Sequence, residues 1–234
     1  MKNEILFEDN HIIIVNKFPG DIVQADKSKD VTLRETVQEY LKVKYNKPGN
    51  VFAGLVHRID RPVSGIVIFA RTSKALTRLN EIFKQREVKK TYWAVVDRMP
   101  SEPEGHLINY LRKNERQNKS YVVNKDTKGA HKAELKYRLL GKSDRYFLLE
   151  VELLTGRHHQ VRAQLANIGC RIKGDLKYGS PRSNPNASIH LHARYAEFIH
   201  PVKKEKICVT ANPQSDPIWN FFIELMASKN KEDA

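Results

Sequence analysis

Short runs of β-branched and aromatic residues dominate this sequence, and several of them follow one another with no helical segment between them. The clearest runs are HIIIVNK, SGIVIFART, KKTYWAVV, HKAELKYRLL and RYFLLEVELL. Helical spacing is confined to a few segments, and one of these opens with a capping-box pattern in which Thr32 is followed by Glu35. A second helix is expected to be capped by Ser73. Successive strands of this kind predict an α+β domain with a mixed, largely antiparallel central sheet flanked by helices and loops, and they argue against a doubly wound parallel fold.

The organisation of the chain predicts one domain, at residues 4–225, followed by a solvated C-terminal tail at residues 226–234. No run approaches the roughly 18 uncharged apolar residues that a membrane-spanning helix needs, and the start lacks the pattern of a secretory signal. The two cysteines, Cys170 and Cys208, form no C-x-x-C pattern. We therefore predict a cytoplasmic, monomeric protein without a membrane partner.

The charge of the chain points to a polyanionic partner. Lys and Arg number 41 against 27 Asp and Glu, which gives a net charge of +14. Each phosphate contact releases counterions and adds affinity, so nucleic acid is the favoured partner, ahead of a basic surface that serves only solubility. The segment 100–129 is rich in charged and polar residues and predicts an exposed basic hairpin or loop. Such a segment either meets a phosphate backbone or is simply solvated.

Asp60 is the first candidate for chemistry. It lies in LVHRIDRPVSGIVIFA, on a tight connection before a buried strand, between Arg58 and Arg61. A carboxylate in that place is either the anchor of an ion pair or a working group, and the local sequence alone favours the anchor. The flanking guanidinium groups would keep it ionised, as a nucleophile or a base requires.

Arg162 and Tyr92 are the other candidates. Arg162 falls at the border of an apolar stripe in a helix expected to start near Thr155-Gly156 and to end before Gly169, so its head group can reach an anion, for which Asp60 is a candidate. Tyr92 stands in a strand beside Trp93, and because neighbours on a strand face opposite ways, only one of them can line a given pocket. Without further information a tyrosine there is more often plain core.

A metal site is not expected among the nine histidines. On a helix, His158 and His159 would point about 100° apart and could not share an ion. His190 and His192 could share a strand face, but no third ligand with zinc-like spacing accompanies them. The sequence also contains no Gly-rich phosphate loop and no G-x-S-x-G elbow.

Four blocks taken together resemble the RluA-type family of RNA pseudouridine synthases. In chain order they read HRIDRPVSGIVIFA, KTYWAVV, GRHHQVRAQLANIGCRIKGDLKYG and LHARYAEFIHP. The chain departs from the family pattern at Ile59 for leucine, at Val63 for threonine and at His158 for threonine. No separate RNA-binding domain precedes the blocks, so the chain is similar to the short members with a catalytic domain only.

The resemblance implies a site-specific isomerisation of uridine to pseudouridine in structured RNA, either ribosomal or transfer RNA, with the target base flipped into a pocket. It implies that Asp60 is the catalytic carboxylate, that Arg162 pairs with it and that Tyr92 packs against the uracil. Arg58, Arg61 and Lys90 are the expected RNA-binding residues, with Arg58 filling the gap left in the RNA stack. No cofactor and no metal is required by this reaction.

Two other functions stay open at this point. One is an RNA-binding or ribosome-assembly protein that has lost turnover, against which the intact Asp60, Tyr92 and Arg162 argue. The other is a base-cleaving enzyme that also uses an aspartate and would release free uracil.

Overall fold

The β-branched runs of the sequence form strands in the computed structural model, which describes residues 1–25 and 30–232. The strands are β1 Glu4–Glu8, β2 Ile12–Lys17, β3 Gly54–Leu55, β4 Ser64–Ala70, β5 Lys89–Val96, β6 Glu104–Asn114, β7 Lys119–Val123, β8 His131–Lys142, β9 Phe147–Leu153, β10 Leu191–Ile199 and β11 Lys206–Thr210. The helices are α1 Leu33–Lys44, α2 Ser73–Lys84, α3 Gln160–Asn167 and α4 Pro217–Glu232, with a 3₁₀ turn at Leu176–Tyr178. This content confirms the predicted α+β class.

The first of two compact units contains Met1–Lys90 and Ala193–Asn212. Its strands β1, β2 and β4 are neighbours in that order and antiparallel, β3 pairs with β4, and β11 pairs with β10. Every residue of β2 and of β4 is buried, as the apolar runs Ile12–Val15 and Ile66–Ala70 within them predict. These two strands are the rigid base from which the loops of this unit project.

The helices of the first unit begin where capping chemistry directs them. For α1, the predicted capping box is confirmed: the Glu35 N–H donates to Thr32 Oγ1 at 3.1 Å, and the Thr32 N–H donates to the Glu35 carboxylate at 2.7 Å. For α2, the predicted cap is wrong by one residue. Thr72 Oγ1 accepts the Ala75 N–H at 3.1 Å, and Ser73 is the first helical residue. The sequence Thr72-Ser73 offers two good caps in succession, and only the three-residue spacing to the N–H that the cap accepts, that of Ala75, separates them.

The second unit contains Thr91–His192 and the chain from Pro213 onwards. Its strands run in the order β5-β9-β8-β6-β7, and each of the four pairs is antiparallel. Helix α4 packs on one face, where Trp219 and Phe222 join Trp93, Val95 and Leu148. Helix α3 packs through Ala163 against Leu111, Ala133 and Tyr178. The segment predicted to be a basic hairpin or loop forms the hairpin β6–β7.

The C-terminal helix passes the predicted domain limit at residue 225. Met226 packs against the Trp93 and Trp219 cluster, and Lys229 Nζ donates to the Leu140 carbonyl at 2.6 Å. Residues 226–232 are therefore helical, and residues 233–234 lie outside the described part of the chain. The limits 4–225 of the domain stay a prediction. Within residues 1–25 and 30–232, no helix is both long enough and apolar enough to cross a membrane.

Candidate active site

The loop that carries Asp60 starts at the end of β3 and leads into β4. Strand β3 pairs with β4 over Gly54 and Leu55 only. Beyond this point the imidazole of His57 takes over the pairing, because its Nε2 accepts the Ile68 N–H at 3.2 Å. The ring also stacks on Phe83 with 4.9 Å between ring centroids. His57 thus fixes the first residue of the loop while releasing the backbone from the sheet.

The loop itself is anchored by apolar residues on either side of Asp60. Ile59 and Val63 are buried, with exposed fractions of 8% and 2%. The Val63 N–H donates to the Asp60 carbonyl at 3.0 Å and closes a turn. Asp60 is partly exposed between the exposed Arg58 and Arg61. The carboxylate therefore stands at the surface of a turn whose neighbours are packed into the core.

A fully buried lysine supports this loop from the end of β2. Lys17 has an exposed fraction of 0%, and its Nζ donates to the carbonyls of Phe18 and Asp21, each at 2.8 Å, and of Arg61 at 3.1 Å. Burial lowers the pKa of Lys17 to about 7, and the nearby carboxylates of Asp21 and Asp60 oppose that shift. Sequence reasoning missed Lys17, although a lysine so soon after the apolar run Ile12–Val15 was a visible signal.

The predicted RNA-binding residues differ in their surroundings. Arg58 is exposed. Arg61 Nη2 pairs with Asp30 at 2.8 Å, and about half of each side chain is exposed, at 51% and 49%. Lys90 is partly buried, with its ammonium group 5.4 Å from the centroid of the Phe83 ring, and burial lowers its pKa. Arg58 and Arg61 thus present their charge to solvent more openly than Lys90 does.

Arg162 is buried in the second unit and is held by a carboxylate that sequence reasoning missed. Its Nε and Nη2 donate to the two oxygens of Asp175 at 2.7 and 2.8 Å, a bidentate pair. The side chains are exposed by only 5% and 1%. The prediction of an anion opposite Arg162 is met by Asp175, and the signal for it was the Gly174-Asp175 pair within the same sequence block. The predicted pairing of Arg162 with Asp60 stays a prediction.

The two adjacent histidines precede α3, and the expectation that they point apart on a helix is wrong. His159 is the residue before the helix and has a left-handed backbone, with φ of 53°. That conformation turns the two rings onto each other, with centroids 3.8 Å apart and planes 18° from parallel. Burial and the charge of Arg162 lower the pKa of His159 to about 2, so the ring is neutral.

The stacked histidines have polar partners of their own. His158 pairs with Ser120 Oγ at 2.8 Å and with Asn118 Oδ1 at 3.1 Å, and His159 Nδ1 pairs with the Tyr178 hydroxyl at 3.1 Å. His158, the departure from the family's threonine, therefore joins the β6–β7 hairpin to the start of α3. In the described ranges, no group of three or more His, Cys, Asp or Glu could hold a metal ion.

Tyr92 lies on β5 opposite Val151 and is partly exposed. Its neighbour Trp93 is 6% exposed and belongs to the cluster beneath α4. Because side chains alternate along a strand, the ring of Tyr92 projects from the other face of the sheet. That face of the unit is also the one on which α3 packs, through contacts with Leu111 and Ala133.

Comparisons with known proteins agree on one family. The family described as RNA pseudouridylate synthase matches residues 11–167. Ribosomal large subunit pseudouridine synthase D of Zymomonas mobilis is 31% identical over 97% of this chain and 74% of its own length. The tRNA pseudouridine synthase C of Vibrio cholerae is 29% identical over 92% of both chains. The solved structure of human RNA pseudouridylate synthase domain containing 4 covers 95% of this chain and 92% of its own, with a TM-score of 0.77 at 21% identity, which shows a common fold.

Proposed function

The chain belongs to the family of RNA pseudouridylate synthases, and on that premise we propose that it converts uridine to pseudouridine at defined positions of structured ribosomal RNA, transfer RNA or both. The names of relatives that act on ribosomal and on transfer RNA support both substrate classes. The net charge of +14 suits either RNA. The protein is expected to act as a cytoplasmic monomer.

The observation that carries the proposal is the support built around Asp60. The carboxylate stands on a turn whose first residue, His57, is bonded to β4, and whose later carbonyl, at Arg61, is bonded to the buried Lys17. A surface aspartate that served only as the anchor of an ion pair would not need a buried lysine and a half-buried histidine to fix its loop. A carboxylate that must meet a reacting atom does need them, because small displacements cost much of the rate.

The reaction breaks the bond from uracil N1 to ribose C1′, turns the base and forms a bond from C5 to C1′, after which the C5 proton leaves. The target uridine must leave the RNA stack to be reached, and Arg58 is exposed where it can fill the space that the base vacates. Asp60 acts on the ribose or on the uracil ring, by addition or by removing a proton. The bonds broken and formed balance within the nucleotide, so no cofactor is consumed.

Arg162 and Tyr92 complete the proposed machinery. Arg162 pairs with Asp60 and keeps it ionised, and Tyr92 packs against the flipped uracil and assists in removing the C5 proton. The bidentate contact with Asp175 supports this role for Arg162, because it fixes the guanidinium plane before any substrate binds. Tyr92 is supported by its partial exposure next to a buried Trp93.

The test is Asp60→Asn, compared with Asp144→Asn, an exposed carboxamide substitution in a loop of the second unit. Release of tritium from C5-labelled uridine in unmodified RNA measures turnover. We expect no turnover with Asp60→Asn, normal turnover with Asp144→Asn, and RNA affinity within about tenfold for both, because phosphate contacts dominate binding. A normal rate with Asp60→Asn would show that its assigned role is wrong.

The same reactions separate the other two functions. Free uracil in the products would identify a base-cleaving enzyme, since isomerisation leaves the mass of the RNA unchanged. Tight binding of RNA with no label released by the unaltered protein, over all ribosomal and transfer RNAs of the host, would identify a binding protein without turnover.

A further inference from the structure

One strongly basic segment of the chain lies in the second unit. Residues 110–132 hold seven Lys and Arg against two acidic residues, Glu115 and Asp126, in a chain whose total excess is 14. This segment forms the β6–β7 hairpin and the turn that follows it. The sequence alone left open whether it is merely solvated.

Four cations lie on this hairpin or on the segments bonded to it, and we name them the Tyr178 cation cluster. Lys119 Nζ lies 5.0 Å from the centroid of the Tyr178 ring. Lys177 Nζ donates to two carbonyls at the hairpin tip, at 3.2 and 3.1 Å. Arg157 Nε donates to the Lys132 carbonyl at 3.0 Å and is exposed. The members of the cluster are Lys113, Lys119, Arg157 and Lys177.

Lys113 belongs to the cluster by register and by electrostatics. It pairs with Ser120 across the hairpin, two residues beyond the buried Leu111, and so faces α3. Lys113 and Lys177, with Arg162, are among the charges that lower the pKa of His159. Lys113 also forms a salt bridge with Glu115, whose side chain is 79% exposed. A pair that is so exposed is too weak to neutralise the cluster.

The cluster is held in place before any ligand binds. The Tyr178 hydroxyl accepts the Ser120 N–H at 2.9 Å and lies 3.1 Å from the Ser120 carbonyl, while His158 holds Ser120 Oγ and Asn118. These bonds tie the hairpin tip to the start of α3. Cations fixed in this way lose little conformational freedom when they bind an anion, which strengthens binding.

The cluster also lies next to a candidate catalytic residue. The guanidinium carbon of Arg162 is 5.1 Å from the centroid of the same Tyr178 ring that Lys119 approaches. Arg162 already holds Asp175 and is assigned to Asp60 in the proposed function, so the binding of phosphates is left to the cluster. An RNA whose target uridine reaches Arg162 has its neighbouring phosphates within reach of these side chains.

We infer that the Tyr178 cation cluster binds phosphodiesters of the substrate RNA on the strand that flanks the target uridine. This inference rests on the proposed function for the identity of the polyanion. The cluster supplies affinity and orientation, while Asp60, Arg162 and Tyr92 act on the nucleotide. Backbone contacts of this kind position an RNA without reading its sequence.

The test uses the full chain carrying Asp60→Asn, so that turnover does not disturb binding. On that background, Lys113→Gln, Arg157→Gln and Lys177→Gln are combined, and the dissociation constant for unmodified RNA is measured over a range of KCl concentrations. We expect affinity to fall at least about tenfold and the slope of log K against log[KCl] to lessen by about 2, since each lost phosphate contact removes about 0.7–0.9.

Two controls separate charge from structure. A charge-retaining variant, Lys113→Arg with Arg157→Lys and Lys177→Arg, should keep the original slope even where hydrogen bonds of the hairpin are altered. Removing the same number of charges from α1, the segment after it and α2, with Lys42→Gln, Lys47→Gln and Lys74→Gln, should lessen the slope less than the cluster variant does. Thermal melting of each variant reports whether it is folded.

The outcomes distinguish this inference from the proposed function. A folded cluster variant with the original slope and affinity would overturn the inference, while loss of turnover with Asp60→Asn would still support a synthase. Retained turnover with Asp60→Asn would overturn the catalytic proposal without affecting the binding result. Loss of binding to phosphatidylserine vesicles, with RNA affinity unchanged, would assign the cluster to a lipid surface and also overturn the inference.

Discussion

Removing Asp175 should cost this protein more stability than removing any surface charge. In Asp175→Ala, the guanidinium group of Arg162 keeps its buried position, where 5% of the side chain is exposed, and loses two hydrogen bonds of 2.7 and 2.8 Å. Leaving one charge of a buried pair uncompensated costs about 3–5 kcal/mol. Arg162→Ala strands Asp175 in the same way, so we expect a loss of similar size. Replacing both, with Arg162→Met and Asp175→Leu, removes both desolvation costs and should restore most of the free energy of unfolding.

The assay is urea unfolding followed by tryptophan fluorescence. The chain has two tryptophans, Trp93 and Trp219, and both are buried in the α4 cluster of the unit that also holds the pair. The signal therefore reports on the relevant unit. Arg138→Ala, which breaks a pair exposed by 63% and 33%, is the control and should change the free energy of unfolding by less than about 1 kcal/mol. If Asp175→Ala lies within about 1 kcal/mol of the unaltered protein, or the double variant is no more stable than the single ones, our reasoning on this pair is wrong.

Two further predictions concern buried titratable groups. Burial lowers the pKa of His57 to about 3 and that of His159 to about 2. Below pH 6.5, the pKa of an unfolded histidine, the unfolded chain therefore binds more protons than the folded one, and the free energy of unfolding decreases as the pH is lowered. Each contributes up to about 1.4 kcal/mol per pH unit below pH 6.5. In His57→Gln the difference between the urea midpoints at pH 7.0 and 5.5 should shrink, with the share of His159 remaining; an unchanged difference would contradict this. Lys17 has the same effect in the alkaline range. Its pKa is lowered to about 7 in the folded protein against 10.5 when unfolded, so stability should rise from pH 7 to 10. Lys17→Met should lose that rise and about 2–4 kcal/mol at pH 9, because it removes the neutral amine that can donate to two of the three carbonyls; equal stability at pH 9 would refute the assignment.

The fold was predictable where one local signal decided the outcome. The apolar run that ends at Lys17 can be buried only as an inner strand, and the Thr32–Glu35 pair satisfies two orphan N–H groups at one place in the chain. The end of α3 was equally well marked, since Gly169 takes up φ of 81° directly after the helix.

The candidate site was predictable in its residue types but not in its supports. Asp60 and Arg162 were found from sequence blocks, whereas the partners Lys17 and Asp175 depend on how distant segments fold together. Lys17 reaches the Arg61 carbonyl across 44 positions of the chain, and no periodicity marks such a contact. The start of α3 was misplaced at Thr155-Gly156, because the left-handed His159 allows four further residues before the helix begins.

Each unit holds one candidate functional residue in place with a buried charged group. In the first unit, the ammonium group of Lys17 fixes the backbone on which Asp60 stands, and in the second the carboxylate of Asp175 fixes the head group of Arg162. Neither the Lys17 contact nor the Asp175 pair involves a substrate, so both supports are in place before RNA binds. In the proposed reaction, the cost of orienting these residues is met during folding, so more of the binding energy of the RNA would remain for extracting the uridine from its stack. Weakening either support should therefore lower kcat more than it weakens RNA binding, which depends on phosphate contacts elsewhere on the surface.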